Sequence, residues 1–152
     1  MSKLSISTSL QISKTPEEVF EAIIDPDHMS QYFISKSSGK MEADLTLEWE
    51  FPEFPGSFPV RIKSIIPHTS IIFEWDGDSH PLTVTILLKA LDSGTSTLVT
   101  VKEKDMEHDE AGINWLKNNT AGWANFLACL KAYLEYGINL RKGGFDFMKI
   151  TT

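Results

Sequence analysis

The chain has 152 residues, and 14 Lys and Arg against 21 Asp and Glu leave a formal net charge of -7. A domain of this size buries about 68–70% of the surface its unfolded chain exposes, so a core can form without a disulfide or a metal. The single cysteine, Cys129, excludes a disulfide framework and a multi-cysteine zinc site. An acidic chain without a basic stripe is a poor partner for a nucleic-acid backbone or an anionic membrane, both of which are held through clustered Lys and Arg.

The N-terminal residues alternate polar and apolar, where a signal peptide needs an apolar run of roughly 7–15 residues. No window reaches the roughly 18 apolar residues of a membrane span. The expectation is therefore a cytoplasmic protein with no membrane insertion, residues 1–152 forming one domain. Leu4, Ile6, Leu10 and Ile12 share one parity and Ser5, Ser7, Ser9 and Gln11 the other, which predicts a strand with one wet face. Thr15-Pro16-Glu17-Glu18 offers a capping hydroxyl, a proline at the first helical position and a glutamate three residues after the cap. A short helix burying Val19, Phe20, Ile23 and Ile24 follows, and Asp25-Pro26 ends it because a residue before proline leaves the α region. His28 to Phe33 has the length for one or two further helical turns.

A short strand is expected near Lys36 to Glu42, and period-two alternation sets in from Leu45 through Leu47, Trp49 and Phe51. Phe51 to Pro59 holds three prolines, a glycine and three phenylalanines, the composition of an apolar loop. Strands are predicted at Val60 to Ile66, Ser70 to Trp75, Leu82 to Leu91 and Thr95 to Lys104, about seven in all, in a mostly antiparallel sheet because the connections are short. The acidic stretch Glu103 to Glu110 reads as a solvated link into the last element. That element is a helix from about Ile113 to Asn139, with Leu116, Thr120, Trp123, Leu127, Leu130, Leu134 and Ile138 on one stripe and Phe126 and Tyr133 widening it.

Seven strands at about 4.8 Å spacing make a sheet roughly 29 Å wide, whereas a helix is only about 10–12 Å across. One helix cannot cover such a sheet unless the sheet curls around it, with the short helices closing one end. The fold class expected is α+β, a curved antiparallel sheet of six or seven strands wrapped around a long C-terminal helix. Space left inside would be a hydrophobic cavity lined by large aromatics. The expected ligand-binding residues are Trp49, Phe73 and Trp75 on the sheet, Trp123, Phe126, Leu127 and Leu130 on the helix, and Tyr32 and Phe33 at one end.

This order of elements resembles the START-like superfamily, also called SRPBCC or the helix-grip fold, and within it the branch of the activator of the 90-kDa heat-shock protein ATPase. The residues carrying the resemblance are Thr15 to Ala22, Asp25-Pro26 with Tyr32-Phe33, Ile72-Phe73-Glu74-Trp75, Thr120-Ala121-Gly122-Trp123 and Leu130 to Gly137. It covers nearly the whole chain. What it implies about function divides three ways: a carrier of a lipid-like or aromatic small molecule, a co-chaperone or interaction module, and an enzyme of the polyketide-cyclase type. In the eukaryotic activator the resembling domain works beside a separate N-terminal domain, for which 152 residues leave no room.

No G-x-S-x-G, H-E-x-x-H or glycine-rich phosphate loop is present, so no catalytic residue, metal site or cofactor is predicted. The four histidines fall in turns or short helices and never in a ligand-like pair. Asp76-Gly77-Asp78 alternates oxygen ligands but reads as a hairpin turn. A cyclase would require an inward carboxylate, and Glu48 and Glu50 face away from Trp49 by parity. The leading expectation is an apolar small-molecule partner, with a chaperone as the alternative, and no nucleic acid.

Overall fold

A computed structural model of the chain describes residues 2–149. The elements run β1 (Leu4–Ile12), α1 (Pro16–Ile24), α2 (Pro26–Met29), β2 (Lys36–Ser37), β3 (Thr46–Glu50), β4 (Phe58–Ile66), β5 (Ser70–Asp76), β6 (Pro81–Leu91), β7 (Ser96–Met106) and α3 (Glu110–Tyr136). Among the described residues the seven strands form one antiparallel sheet in the order β1-β7-β6-β5-β4-β3-β2. β1 and β2 lie at opposite edges, so α1 and α2 carry the chain from one edge to the other. Register breaks between Leu4 and Ile6 and between Ile62 and Ser64 are irregularities of the kind that bend a strand. The expected helix-grip α+β architecture is the one observed.

Local chemistry sets the boundaries. Thr15 Oγ1 accepts from the Glu18 amide at 3.2 Å while the Glu18 carboxylate accepts from the Thr15 amide at 3.4 Å, the reciprocal capping box that starts α1. The long helix begins three residues earlier than its apolar stripe implies, because Asp109 caps it by accepting from the Gly112 amide at 2.7 Å. A polar first turn leaves no mark on hydrophobic periodicity. The helix ends at Tyr136, where Gly137 adopts a left-handed φ of 66° and its N–H donates back to Tyr133. Ile138 therefore leaves the stripe and is 51% exposed.

The concave face of the sheet is the core. One cross-strand row runs Ile62, Phe73, Val84, Glu103 and Ile6, and the next runs Val60, Trp75 and Leu82. The C-terminal half of α3 is tied to the end of β1, where Lys131 donates to the Gln11 carbonyl at 2.8 Å and the Ser13 amide donates to Glu135 at 2.9 Å. The N-terminal half reaches beyond this anchorage toward the open end of the sheet.

Candidate functional site

A cleft of about 930 Å³ opens between the N-terminal half of α3, the β3–β4 loop, the β5–β6 turn and the segment after α3. The same alternation that buries Phe73 delivers Trp75 to its wall at the end of β5, and Trp123 reaches it from the helix. The two indoles stack at 5.5 Å between centroids and 29° between planes. Trp115, two turns earlier on α3, and Phe51, Phe54 and Phe58 of the apolar loop complete an aromatic lining.

Behind the two indoles lies a carboxylate. Glu103 on β7 is 0% exposed. Trp75 Nε1 donates to its Oε2 at 2.7 Å, and Trp123 Nε1 and Asn119 Nδ2 donate to its Oε1 at 2.8 and 3.1 Å. Three donors that border the cleft thus converge on one buried acceptor group. With three acceptor positions filled, Glu103 acts as an anchor that fixes both ring planes. A rim pair complements it: the Glu53 side chain, 2% exposed, meets Arg141 Nη2 at 2.9 Å from Oε1 and accepts its hydrogen bond at Oε2 at 3.0 Å. Geometry leaves Glu53 Oε1 without a hydrogen bond, and the indole N–H of Trp115 is also buried and unpartnered. The Arg141 guanidinium stacks over Phe145 at 4.7 Å and lies within 6 Å of Phe33 and Phe51, so it straps the C-terminal segment to the β3–β4 loop. A second hollow of about 490 Å³ lies beside this strap, lined by Tyr32, Phe33, Glu53 and Arg141 among others.

Of the nine residues expected at the ligand site, the structure brings Phe33, Trp75 and Trp123 together on the large cleft, with Tyr32 and Phe33 on the smaller hollow. Trp49, Phe73, Phe126, Leu127 and Leu130 lie in the interior and line neither space. Trp49 packs on Phe73 at 5.4 Å and Phe126 on Phe33 at 4.8 Å, so aromatics fill the middle of the grip and the opening moves to its end. The Tyr32 hydroxyl donates to the Ala22 carbonyl at 2.9 Å, and burial, then the neighbouring Tyr133, pushes its pKa well above the ordinary tyrosine range. It is spent on structure. Cys129 is fully buried, and desolvation raises its thiol as well.

Glu103 corrects the reading of residues 103–110 as a solvated link, since β7 continues to Met106 and Glu103 points inward. Parity was the available signal. Thr97, Val99, Val101 and Glu103 alternate on one face, and all four are fully buried. Trp115 and Asn119 fall on the face of Trp123 at helical spacing and were also legible. Glu53 and Arg141 meet across 88 residues from loops, where no periodic pattern operates. Among the described residues no group of three or more His, Cys, Asp or Glu is arranged to hold a metal ion, and no helix is long and apolar enough to cross a membrane.

A curled antiparallel sheet gripping a C-terminal helix, with a cleft at the open end, defines a helix-grip domain of the START-like class. The chain belongs to the family of Activator of Hsp90 ATPase homolog 1-like proteins, whose family model matches residues 13–135. Protein SSP2350 from Staphylococcus saprophyticus is 30% identical, with a TM-score of 0.79 over 91% of this chain and 96% of that one. DynU16, from the dynemicin biosynthetic locus, is 22% identical with a TM-score of 0.78 over 89% of this chain and 48% of its own. The Aha1 dimer from Colwellia psychrerythraea is 19% identical with a TM-score of 0.75 over 88% and 98%. The last two likenesses, under 25% identical, concern the fold. No curated protein sequence matches the chain.

Proposed function

We propose that the protein binds a small, largely apolar molecule in the cleft between the sheet and α3, and that residues 1–152 act as one binding domain. The observation that carries this reading is the cleft itself: about 930 Å³, within the roughly 300–1,000 Å³ of small-molecule sites, walled by aromatics with a few convergent polar groups. A wall of stacked indoles held by a buried carboxylate is preorganised, so a ligand need not pay for ordering it. Native mass spectrometry of the purified protein tests the reading. The expected spectrum contains a complex heavier than the chain by a few hundred daltons or accepts added apolar ligands at one-to-one stoichiometry. A bare mass that stays bare across a panel of lipid-like and aromatic compounds contradicts it.

A second reading, an interaction module for a heat-shock ATPase, is favoured by the family's description. Exposed Phe54, Phe147 and Met148 offer apolar contacts for a protein partner. The discriminating assay is co-sedimentation with a 90-kDa heat-shock protein, read together with its ATPase rate. Stimulation of that rate supports the second reading, and its absence alongside small-molecule binding supports the first.

A further inference from the structure

We infer that the cleft selects an organic cation, an amine or quaternary ammonium carried on an apolar body. The inference rests on the ligand-binding reading above and specifies the chemistry of its ligand. Glu103 is a fully buried carboxylate whose three partners, Trp75, Trp123 and Asn119, are all neutral. Neutral donors disperse a charge without cancelling it, and buried charges ordinarily have a partner of opposite sign. All three partners border the cleft, so a cation placed there lies one side chain away from the carboxylate and supplies its missing counter-charge.

The wall between them suits that cation. Indole is the strongest of the aromatic rings toward a cation at its face. In Trp75 and Trp123 the electropositive N–H edge is turned onto the carboxylate, which pushes electron density into the stacked rings and makes the face of the half-buried Trp75 more negative. The molecule already uses the same chemistry a few residues away, where the Arg141 guanidinium sits over Phe145, Phe33 and Phe51.

Independent support comes from the opposite wall. Glu53 lines the cleft, and its buried Oε1 accepts no hydrogen bond although it stands in ion-pair contact with Arg141 Nη2 at 2.9 Å. An organic cation on that wall gains the Coulomb attraction of the Glu53 carboxylate whether or not it carries an N–H. The charged side chains among the described lining residues are Glu53, Asp76, Asp78 and Arg141, so acids outnumber the base even before Glu103 is counted. Arg141 is committed to Glu53 and covered by aromatic rings, which leaves an anionic ligand nothing to pair with. The net charge of -7 acts in the same direction.

The test uses the full chain and three probes of one shape: 2-naphthyltrimethylammonium, the neutral 2-tert-butylnaphthalene and the anion 2-naphthoate, titrated by tryptophan fluorescence at low salt. The cation is expected to bind at least tenfold more tightly than the neutral isostere, with the anion weakest. In Glu103→Gln the ratio of cation to neutral affinity should fall at least threefold, any loosening of the indole wall acting on both probes and cancelling from the ratio, while the far-UV circular dichroism stays unchanged. Glu53→Gln should reduce it independently. If the neutral compound binds as well as the cation, the cation inference is overturned and the small-molecule reading stands. If none of the three binds, the small-molecule reading falls and takes the inference with it. An unchanged cation preference in both folded variants removes the two carboxylates as its source.

Discussion

Replacing Glu103 with glutamine and with leucine separates two accounts of a buried carboxylate. In the first, it is a polar keystone whose removal orphans donors; in the second, it is a desolvated charge whose loss is neutral or stabilising. Glutamine keeps the shape, and its least costly orientation puts the oxygen where Trp123 and Asn119 already donate and turns the amide nitrogen toward Trp75. One hydrogen bond is lost, at an indole beside the cleft that water can reach, for a cost of about 1–2 kcal/mol. Leucine removes all three acceptor contacts. Trp123, 4% exposed, then keeps a donor that neither water nor protein meets, while Trp75 and Asn119 recover partly through the cleft. An orphaned buried donor costs about 1–3 kcal/mol, so with the two weaker losses Glu103→Leu should cost about 2–4 kcal/mol. In urea, with a slope of about 2 kcal/mol/M, the midpoints should fall by about 0.5–1 M for glutamine and about 1–2 M for leucine. Near-UV circular dichroism from the stacked indoles should weaken in leucine and persist in glutamine. A leucine variant at least as stable as the parent would refute the keystone account.

Four further outcomes follow from the same structure. Thr15→Ala removes the acceptor of the capping box and should lower stability by about 0.5–2 kcal/mol, an unchanged urea midpoint being the contrary result. Arg141→Ala strips the partner from a carboxylate whose side chain is 2% exposed; breaking a buried pair costs about 3–5 kcal/mol, and amide exchange across residues 138–149 should accelerate. Trp123→Ala truncates a 4%-exposed ring packed on Trp75 and Phe126, so it should cost about 3–5 kcal/mol, and because Trp123 borders the cleft it should also abolish ligand binding. The Lys131 hydrogen bond, with help from the Ser13 amide, lowers the Glu135 pKa below the usual carboxylate range. Stability from this group is present above the unfolded pKa of about 4.3 and is lost as pH falls through the depressed folded value, so Glu135→Gln should flatten the acid limb of a pH–stability profile.

The fold was legible because its elements repeat: period two writes the strands, period near 3.6 writes α3, and Thr15-Pro16-Glu17-Glu18 marks the start of α1. The width of the sheet against one helix then required curling. The site was legible in part, for a mixed reason. Trp75 and Trp123 follow from parity and helical spacing, as do Trp49, Phe73 and Phe126, but periodicity says only that a side chain points inward. Whether it meets another side chain or open space depends on how far α3 stands from each strand, which is set by its tether to β1 through Lys131 and Glu135. Glu103 was readable from Val99 and Val101 once charge was not taken as evidence of exposure. The Glu53–Arg141 strap joins two irregular segments, and only the assembled chain brings them together.

The four tryptophans provide the most direct test of the central claim that a ligand occupies this cleft. Each indole N–H gives one resolved signal in a nitrogen–proton correlation spectrum, and Trp75, Trp115 and Trp123 line the cleft whereas Trp49 is 1% exposed within the core. On titration with a tightly bound naphthyl probe, the account predicts that the first three signals shift, the free N–H of Trp115 among them, while that of Trp49 holds its position. Saturable binding that moves Trp49 and leaves Trp75, Trp115 and Trp123 in place would contradict it.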